Sequence, residues 1–453
     1  MKIELRRLAA KAGAVILAAA LLAGCQTSGG DAPASSAAAA PASAAAVPQE
    51  FVPQLDTEAN VSLEVSGFLG NFEALDQVVI AFNEYYPNVI VSYEQNSGDK
   101  MAEYLRNNPY VDIVMTDDNN FRYEDWTGYY VLDQVADLAE EKIDTSAVQP
   151  ELLDACTFDG KLARLPIGMN LSGMVVNRTL LEKEGLAVPT NWQEFLDVCA
   201  ALKEKGYTPI QGAQTMVYAD LVYNMGMTEL GTDSTKIAAL NQGEAAAEET
   251  VEAAYDRLKT LVELGYTDPA VNAEYPDDNY DGAILKFFEG DVPFWVCNTE
   301  KYSGMKKRES KSETYSAAPF EYEFVYVPAG DNGVYEFVEP WFGFSINKGS
   351  DNYDYAVEFL RFLAQEEQLN TIAAVKGVPS AAQNSTDARY AAVRGTTAVE
   401  KRFVNDGTLL NHMKDFFRGN ANSLGKGELT SARAAAEDYV ARCAQVAAEM
   451  NAK

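Results

Sequence analysis

The 453-residue chain carries 67 Asp and Glu against 36 Lys and Arg, a formal charge of −31, with one histidine in all. A surface this acidic repels phosphate backbones and argues against nucleic acid as a partner. A single histidine excludes a His-based zinc centre and leaves only His412 for a Ser-His-Asp triad.

Lys2, Arg6, Arg7 and Lys11 open the chain, and Ala12 to Ala23 are all small or apolar. That run is about a dozen residues, against the roughly 20 a membrane-spanning helix needs. A basic start, a short apolar core and small residues at its end describe a secretory leader over residues 1–24. The ending "LAGC", Leu22 to Cys25, resembles the lipobox of bacterial lipoproteins, which implies cleavage before Cys25, its lipidation (palmitate in the mature protein) and an anchor on the extracytoplasmic face of the cell membrane. Residues 26–50 hold ten Ala, four Ser, three Pro and two Gly. Pro33, Pro41 and Pro48 interrupt any poly-Ala helix, and too few large apolar side chains are present to offset the entropy of ordering. Residues 25–58 are therefore expected to form a disordered, lipid-anchored linker, with a reach of about 25–30 Å for the stretch to residue 50.

About 400 residues follow, more than one core normally holds, so two domains are expected. "VSLEVSGF" alternates Val61, Leu63 and Val65 with polar residues, a strand. "NFEALDQVVIAFNEYYP" sets Leu75, Val78, Val79 and Phe82 on one helical face and stops before Pro87. "NVIVSYEQ" is a second strand, Ser97 opens a helix with Met101 and Leu105, and Val111 to Met115 is an apolar run suited to a strand buried on both faces. This β-α-β-α-β order implies a parallel sheet with right-handed crossovers, whose ligands sit beyond the carboxyl ends of the strands.

Further on, Asp159–Gly160 marks a hairpin and "LSGMVVN" a strand. "TNWQ", Thr190 to Gln193, fits a capping box for a helix ending at Gly206. A mostly helical stretch runs to about Phe288. Strands return at Asp291–Asn298 and Trp341–Asn347, a helix begins near Asp354, and the tail from Thr430 is a long amphipathic helix. Cys199 shares a helical face with Phe195 and Leu202, and Cys443 sits among Tyr439, Val440 and Val446, so both read as small core residues.

The fragments "AFNEYYPNVIVSYE", "DGKLARLPIGMNLSGMVVNRTLLEKEGLAVPTNWQEFLDVCAALKEKGYTPI", "FFEGDVPFWV" and "WFGFSINKGSDNYDYAVEFLRFLAQEEQLN…GVPSAAQ", in this order, resemble extracellular solute-binding proteins, family 1. Those are the capture subunits of ABC importers, most often for sugars. The resemblance implies an α/β, two-lobed periplasmic-binding-protein-like fold, each lobe a mostly parallel sheet flanked by helices, with interleaved crossovers. Carried onto this chain, lobe 1 would hold residues 59–165 and 291–338, and lobe 2 residues 166–290 and 339–453. Crossings would fall near "LPIGMN" and "EPWFGF". The implied partners are a carbohydrate, taken as an oligosaccharide, and the permease subunits; no cofactor is implied, and the chain is read as a monomer.

A sugar offers flat C–H faces to aromatic rings and a fringe of hydroxyls to Asp, Asn, Gln and Arg. Trp341 and Phe342 lie at a proposed crossing, and family members commonly place an aromatic stacker near this segment. Trp295 matches a family aromatic in "GDVPFW", and alternation makes it cleft-facing or buried. Asn71 and Phe72 follow the first strand, Asp117, Asp118 and Asn119 the third, and Asn170 sits at the first crossing; each is positioned to hydrogen-bond hydroxyls or to cap a turn. Trp192 and Trp126 read as packing residues.

"DDNYDG", Asp277 to Gly282, begins like a calcium loop, but the closing position is Phe288 where a bidentate Glu belongs. No metal site is therefore expected. "GNANSLGK" has the wrong glycine spacing for a phosphate-binding loop, and there is no G-x-S-x-G elbow. Binding without catalysis is the expected activity. A peptide, polyamine or cation as the solute stays open. So does a surface glycoside hydrolase, since 67 acids can always supply two at the required separation.

Overall fold

The computed structural model describes residues 50–69, 72–96, 101–117, 131–214, 216–231, 233–276, 279–385, 400–403 and 414–451. The leader, Cys25, Asn71, Asp118, Asn119, Trp126, Asp277, Asp278 and His412 lie outside them.

The opening pattern folds as its periodicities require. Strand β1 (Val61–Gly67), helix α1 (Glu73–Phe82), strand β2 (Val89–Gln95), helix α2 (Met101–Asn107) and strand β3 (Ile113–Thr116) alternate, and β1 pairs in parallel with both β2 and β3. After α3 (Pro150–Ala155), β4 (Thr157–Phe158) and β5 (Lys161–Leu162) form the hairpin, with Asp159 and Gly160 at φ 50° and 77°. Two consecutive positive φ angles match a type I′ turn.

Next comes β6 (Leu165–Asn177), thirteen residues long and almost wholly buried. Helices α4 (Arg178–Lys183) and α5 (Trp192–Glu204), strand β7 (Ile210–Gln211) and helices α6 (Met216–Leu230), α7 (Ser234–Gln242), α8 (Glu248–Glu263), α9 (Pro269–Asn272) and α10 (Tyr280–Phe287) follow. Then come β8 (Phe294–Asn298), α11 (Thr299–Glu309), α12 (Glu313–Ala317), β9 (Tyr322–Val325) and β10 (Tyr335–Ile346). The chain ends with α13 (Tyr353–Leu363), α14 (Glu366–Lys376), β11 (Glu400–Phe403), α15 (Lys414–Gly425) and α16 (Ala432–Asn451). The cap of α5 is displaced by one residue from the expected box. Asn191 accepts from the Glu194 amide at 3.0 Å, and Glu194 reaches back to the Thr190 amide at 2.8 Å.

The main sheet has the order β2-β1-β3-β10-β6-β8-β7, with β11 on β10 and β9 on β6. The α/β class holds, and the two long strands make the sheet mixed. β10 runs antiparallel to β3 and β6, and β6 antiparallel to β8 and β9. The N-terminal half of β6 pairs with β10 and its C-terminal half with β8 and β9, so β6 belongs to two strand groups at once.

Two large apolar clusters flank this arrangement. Leu63, Leu75, Val78 and Phe82 pack with Phe342, Phe344, Phe359 and Phe362, while Phe195, Leu221, Tyr255 and Leu258 pack with Phe417, Tyr439 and Cys443. The expected lobe boundaries do not follow these partners. Residues 342–373 bury their apolar side chains with β1 and α1, and β8 and β9 pair with β6 rather than with the first three strands. Alternation and apolar runs report how deeply a strand is buried, not which strand lies beside it.

The expected linker also ends earlier than residue 58. Phe51 is buried between Tyr85 and Phe362, with ring centroids 5.2 and 5.1 Å away. The Gln54 amide donates to Glu358 at 2.9 Å, and Tyr355 donates to the Asp56 carbonyl at 2.9 Å. Glu358 is itself buried and paired with Arg361 and the Tyr86 hydroxyl. Phe51→Ala is therefore expected to cost about 3 kcal/mol, the lower end for truncating a core Phe, against less than about 0.5 kcal/mol at a linker position. Urea unfolding of the two proteins measures the difference.

Cys156, Cys199, Cys297 and Cys443 are buried and form no disulfide. Burial pushes the Cys443 thiol up to about 12 and also raises Cys199 and Cys297. A thiol is attacked as its thiolate. Ellman's reagent is thus expected to leave all four untouched in the folded protein and to label them without reductant in guanidinium; a disulfide pair would remain silent in both.

Candidate functional site

The proposed crossings meet side by side. In the β6–β10 ladder Glu339 lies opposite Asn170 and Phe342 opposite Gly168, with register shifts on either side of Phe342. Trp341 falls in this irregularity and has no strand partner. An irregularity of this kind re-aims the side chains around it. Trp341 remains half-exposed, while Phe342 is fully buried against Phe72 and Phe344. The Trp341 ring stands edge-on to Phe342 with centroids 4.8 Å apart.

The other expected aromatics are not available for stacking. Trp295 is 2% exposed and Phe72 3%, and both belong to the first core. Strand alternation turns Trp295 inward, and Phe72 sits over the β10 aromatics before α1 starts. Trp192 packs beneath Arg257, whose guanidinium carbon is 5.0 Å from the ring centroid.

Asn170 is a structural junction within the site. Its amide nitrogen donates to Glu339 at 3.2 Å, and its oxygen accepts from Thr299 Oγ1 at 3.3 Å and the Glu300 amide at 3.4 Å. Thr299 in turn accepts from the Leu171 amide at 3.0 Å. The first turn of α11 is thereby stitched to β6 next to Trp341. Asp117 lies half-buried at the end of β3.

The neighbourhood also collects charges that no spacing pattern announced. Glu300 keeps solvent exposure, yet burial raises its pKa, with Glu339 and Asp220 adding to the rise and Lys301 and Lys376 opposing it. Exposure together with desolvation describes a carboxyl in a recess rather than on a convex surface. Asp220 bonds Arg418 at 3.1 Å and lies 3.8 Å from Lys301, and its buried Oδ2 has no hydrogen-bond partner. Lys376 ends α14, with its ammonium 5.8 Å from the centroids of both Trp341 and Phe72. Lys376, Glu300, Glu339 and Asp220 were not foreseen. For Glu339 alone there was a cue, since it directly precedes Pro340–Trp341.

A cavity of about 400 Å³ lies by the C-terminal end of β6, lined in part by Arg178, Lys306, Tyr315 and Tyr322. Its two cations are already paired, Arg178 with Glu323 at 2.6 Å and Lys306 with Glu309 at 2.7 Å. The acidic stretch before α10 is helix-starting chemistry. Asn279 caps the Gly282 amide at 3.3 Å, Asp281 pairs with Arg308, and Phe288 is fully buried. Among the described residues no group of three or more His, Cys, Asp or Glu is placed to hold a metal, and no helix is long and apolar enough to cross a membrane.

Residues 77–395 match the family model described as bacterial extracellular solute-binding protein. The chain belongs to that family. Its members are extracellular binding proteins rather than enzymes, and the fold agrees. The sugar-binding protein MalE from Xanthomonas citri superposes with a TM-score of 0.68 at 15% identity, covering 86% of this chain and 98% of that one. A sugar transporter from Bacillus licheniformis, solved in complex with stachyose, superposes with a TM-score of 0.62 at 17% identity over 85% of this chain and 100% of that one. In sequence, a probable sugar-binding periplasmic protein of Rhizobium meliloti is 27% identical over 161 residues, 35% of this chain and 36% of the relative. The alignment thus spans about a third of that relative's length.

Proposed function

We propose that this solute-binding protein captures a carbohydrate, as an oligosaccharide, and delivers it to an ABC permease. The observation that carries the reading is Trp341, partly exposed at an irregularity of the β6–β10 ladder and adjacent to the polar pair Asn170 and Glu339, whose groups can hydrogen-bond hydroxyls. The sugar-binding names of the relative and of the fold neighbours point the same way. Capture would proceed by hinge closure, in which contacts from two lobes favour the closed state that the permease recognises. Following the packing partners, we assign residues 51–170 and 339–382 to one lobe and 171–338 and 400–451 to the other. The lipobox-like "LAGC" supports tethering at Cys25 on the extracytoplasmic face, with residues 26–50 as the leash.

A thermal-shift screen of the full chain against oligosaccharides, amino acids, polyamines and calcium tests the substrate class. A ligand at a hundredfold excess over its Kd adds about 2.7 kcal/mol of stability, visible as a raised Tm. Stabilisation by a sugar is expected. A shift with only an amino acid, a polyamine or calcium would overturn the carbohydrate assignment, and turnover of a chromogenic glycoside would overturn binding without catalysis.

A further inference from the structure

Lys376 is an unusual place to keep a charge. It is half-buried at the last turn of α14, and Gly377 at φ 75° turns the chain away at once, toward Val378–Ser380 beside β6. Its ammonium rests over Trp341 and Phe72, and among the described residues it has no hydrogen bond and no ion pair. Burial lowers its pKa and Lys307 lowers it further, while Glu73 and Glu300 only partly oppose this. A ring face gives an ammonium about 1–2 kcal/mol of attraction but accepts none of its three protons directionally. Closing water out around such a group is costly unless an acceptor arrives with the closing surface.

That acceptor cannot come from the neighbouring ion pairs, because Lys301 and Arg418 already share Asp220. The charges of Glu73 and Glu300 reach Lys376 and that of Glu339 reaches Glu300, and none of the three forms an ion pair with the ammonium. A ligand bearing its own carboxylate would satisfy Lys376 but would set a further anion against these three. A neutral hydroxyl-rich ring avoids the conflict, since each hydroxyl both accepts and donates. Such a ring accepts a hydrogen bond from Lys376 and donates hydrogen bonds to the carboxylates.

Resting on the carbohydrate reading, we infer that Lys376 is a solute-binding and specificity-determining residue, donating to a hydroxyl oxygen of a neutral sugar ring stacked on Trp341. Lys376 lies over the Trp341 ring on which the sugar would stack, so on binding its ammonium would pass from the aromatic face to a hydroxyl.

Calorimetric titration of the full chain with neutral trisaccharides (maltotriose, cellotriose, xylotriose) and with trigalacturonate tests this. At least one neutral probe is expected to bind more tightly than trigalacturonate. Lys376→Met, which keeps the stem over the rings, is expected to weaken that binding about 10- to 100-fold with Tm nearly unchanged, as for loss of a charged hydrogen bond. Lys376→Arg, which keeps the charge, should recover part of it; it also serves as the readout should the methionine variant fold poorly. Unchanged affinity in both variants overturns the role of Lys376. Tighter binding of trigalacturonate overturns the neutral class while leaving sugar capture standing. If neither charge class binds and an amino acid or polyamine does, the carbohydrate reading itself falls, and this inference with it.

Discussion

Trp341→Ala is expected to weaken sugar capture at least about 30-fold, the effect of removing a central aromatic anchor. The residue earns this expectation by exposure combined with rigidity. Its indole is partly exposed, and the edge-on contact with Phe342 and packing against the first core hold it in place. The protein cost should be smaller than the ~3–5 kcal/mol of a fully buried aromatic, because Trp341 is only partly buried. Titration calorimetry and urea unfolding on the same preparation separate the two. Trp341→Phe, which retains a flat face, should recover much of the affinity. If Trp341→Ala binds the sugar as wild type does, the stacking surface lies elsewhere, because Trp295, Phe72 and Phe342 are all too deeply buried to substitute.

The sequence announced some of this and was silent on the rest, for identifiable reasons. The β-α-β-α-β opening was legible because Leu63, Val65, Leu75, Val78 and Phe82 repeat with strand and helix periods, and each is buried as those periods require. Trp341 was singled out at a proposed crossing bracketed by Pro340 and Gly343, and the irregularity of the β6–β10 ladder falls there. Phe342 and Phe72 were attached to the site by adjacency, and both are buried against each other and Phe344 in the core instead. The expected lobe boundaries after residue 290 do not follow the strand pairing, because an apolar run such as "PFWVC" is equally at home beside any strand. Lys376 and Glu300 were invisible for a different reason. Among 103 charged residues no spacing marks the two that a fold will bring into one recess.

A large effect on the protein itself should come from Gly343→Ala. Gly343 of β10 is sandwiched between Thr116 of β3 and Pro166 of β6. A Cβ there would sit 2.2 Å from the Leu165 carbonyl oxygen and 2.6 Å from Arg164 Cγ. Neither neighbour can yield. The carbonyl belongs to the backbone of β6, and Arg164 is fully buried, donating to the Thr116 carbonyl at 3.4 Å and to Cys156 Sγ at 3.3 Å. Overpacking usually costs about 1–3 kcal/mol, and a contact this short with immovable backbone belongs at or above the top of that range. Gly160→Ala is the informative contrast. No atom lies within 4 Å of the added carbon, and only its φ of +77° opposes the substitution, a penalty of about 1–2 kcal/mol. The urea midpoint should therefore fall markedly further for Gly343→Ala than for Gly160→Ala. Relief of the clash requires β10 to slide on β6, which displaces the neighbouring irregularity and Trp341 with it, so the Gly343 variant should lose sugar affinity while Gly160→Ala keeps it. Equal affinity in the two would mean that the ring face is set by Phe342 packing alone, and that the strand register contributes nothing to the site.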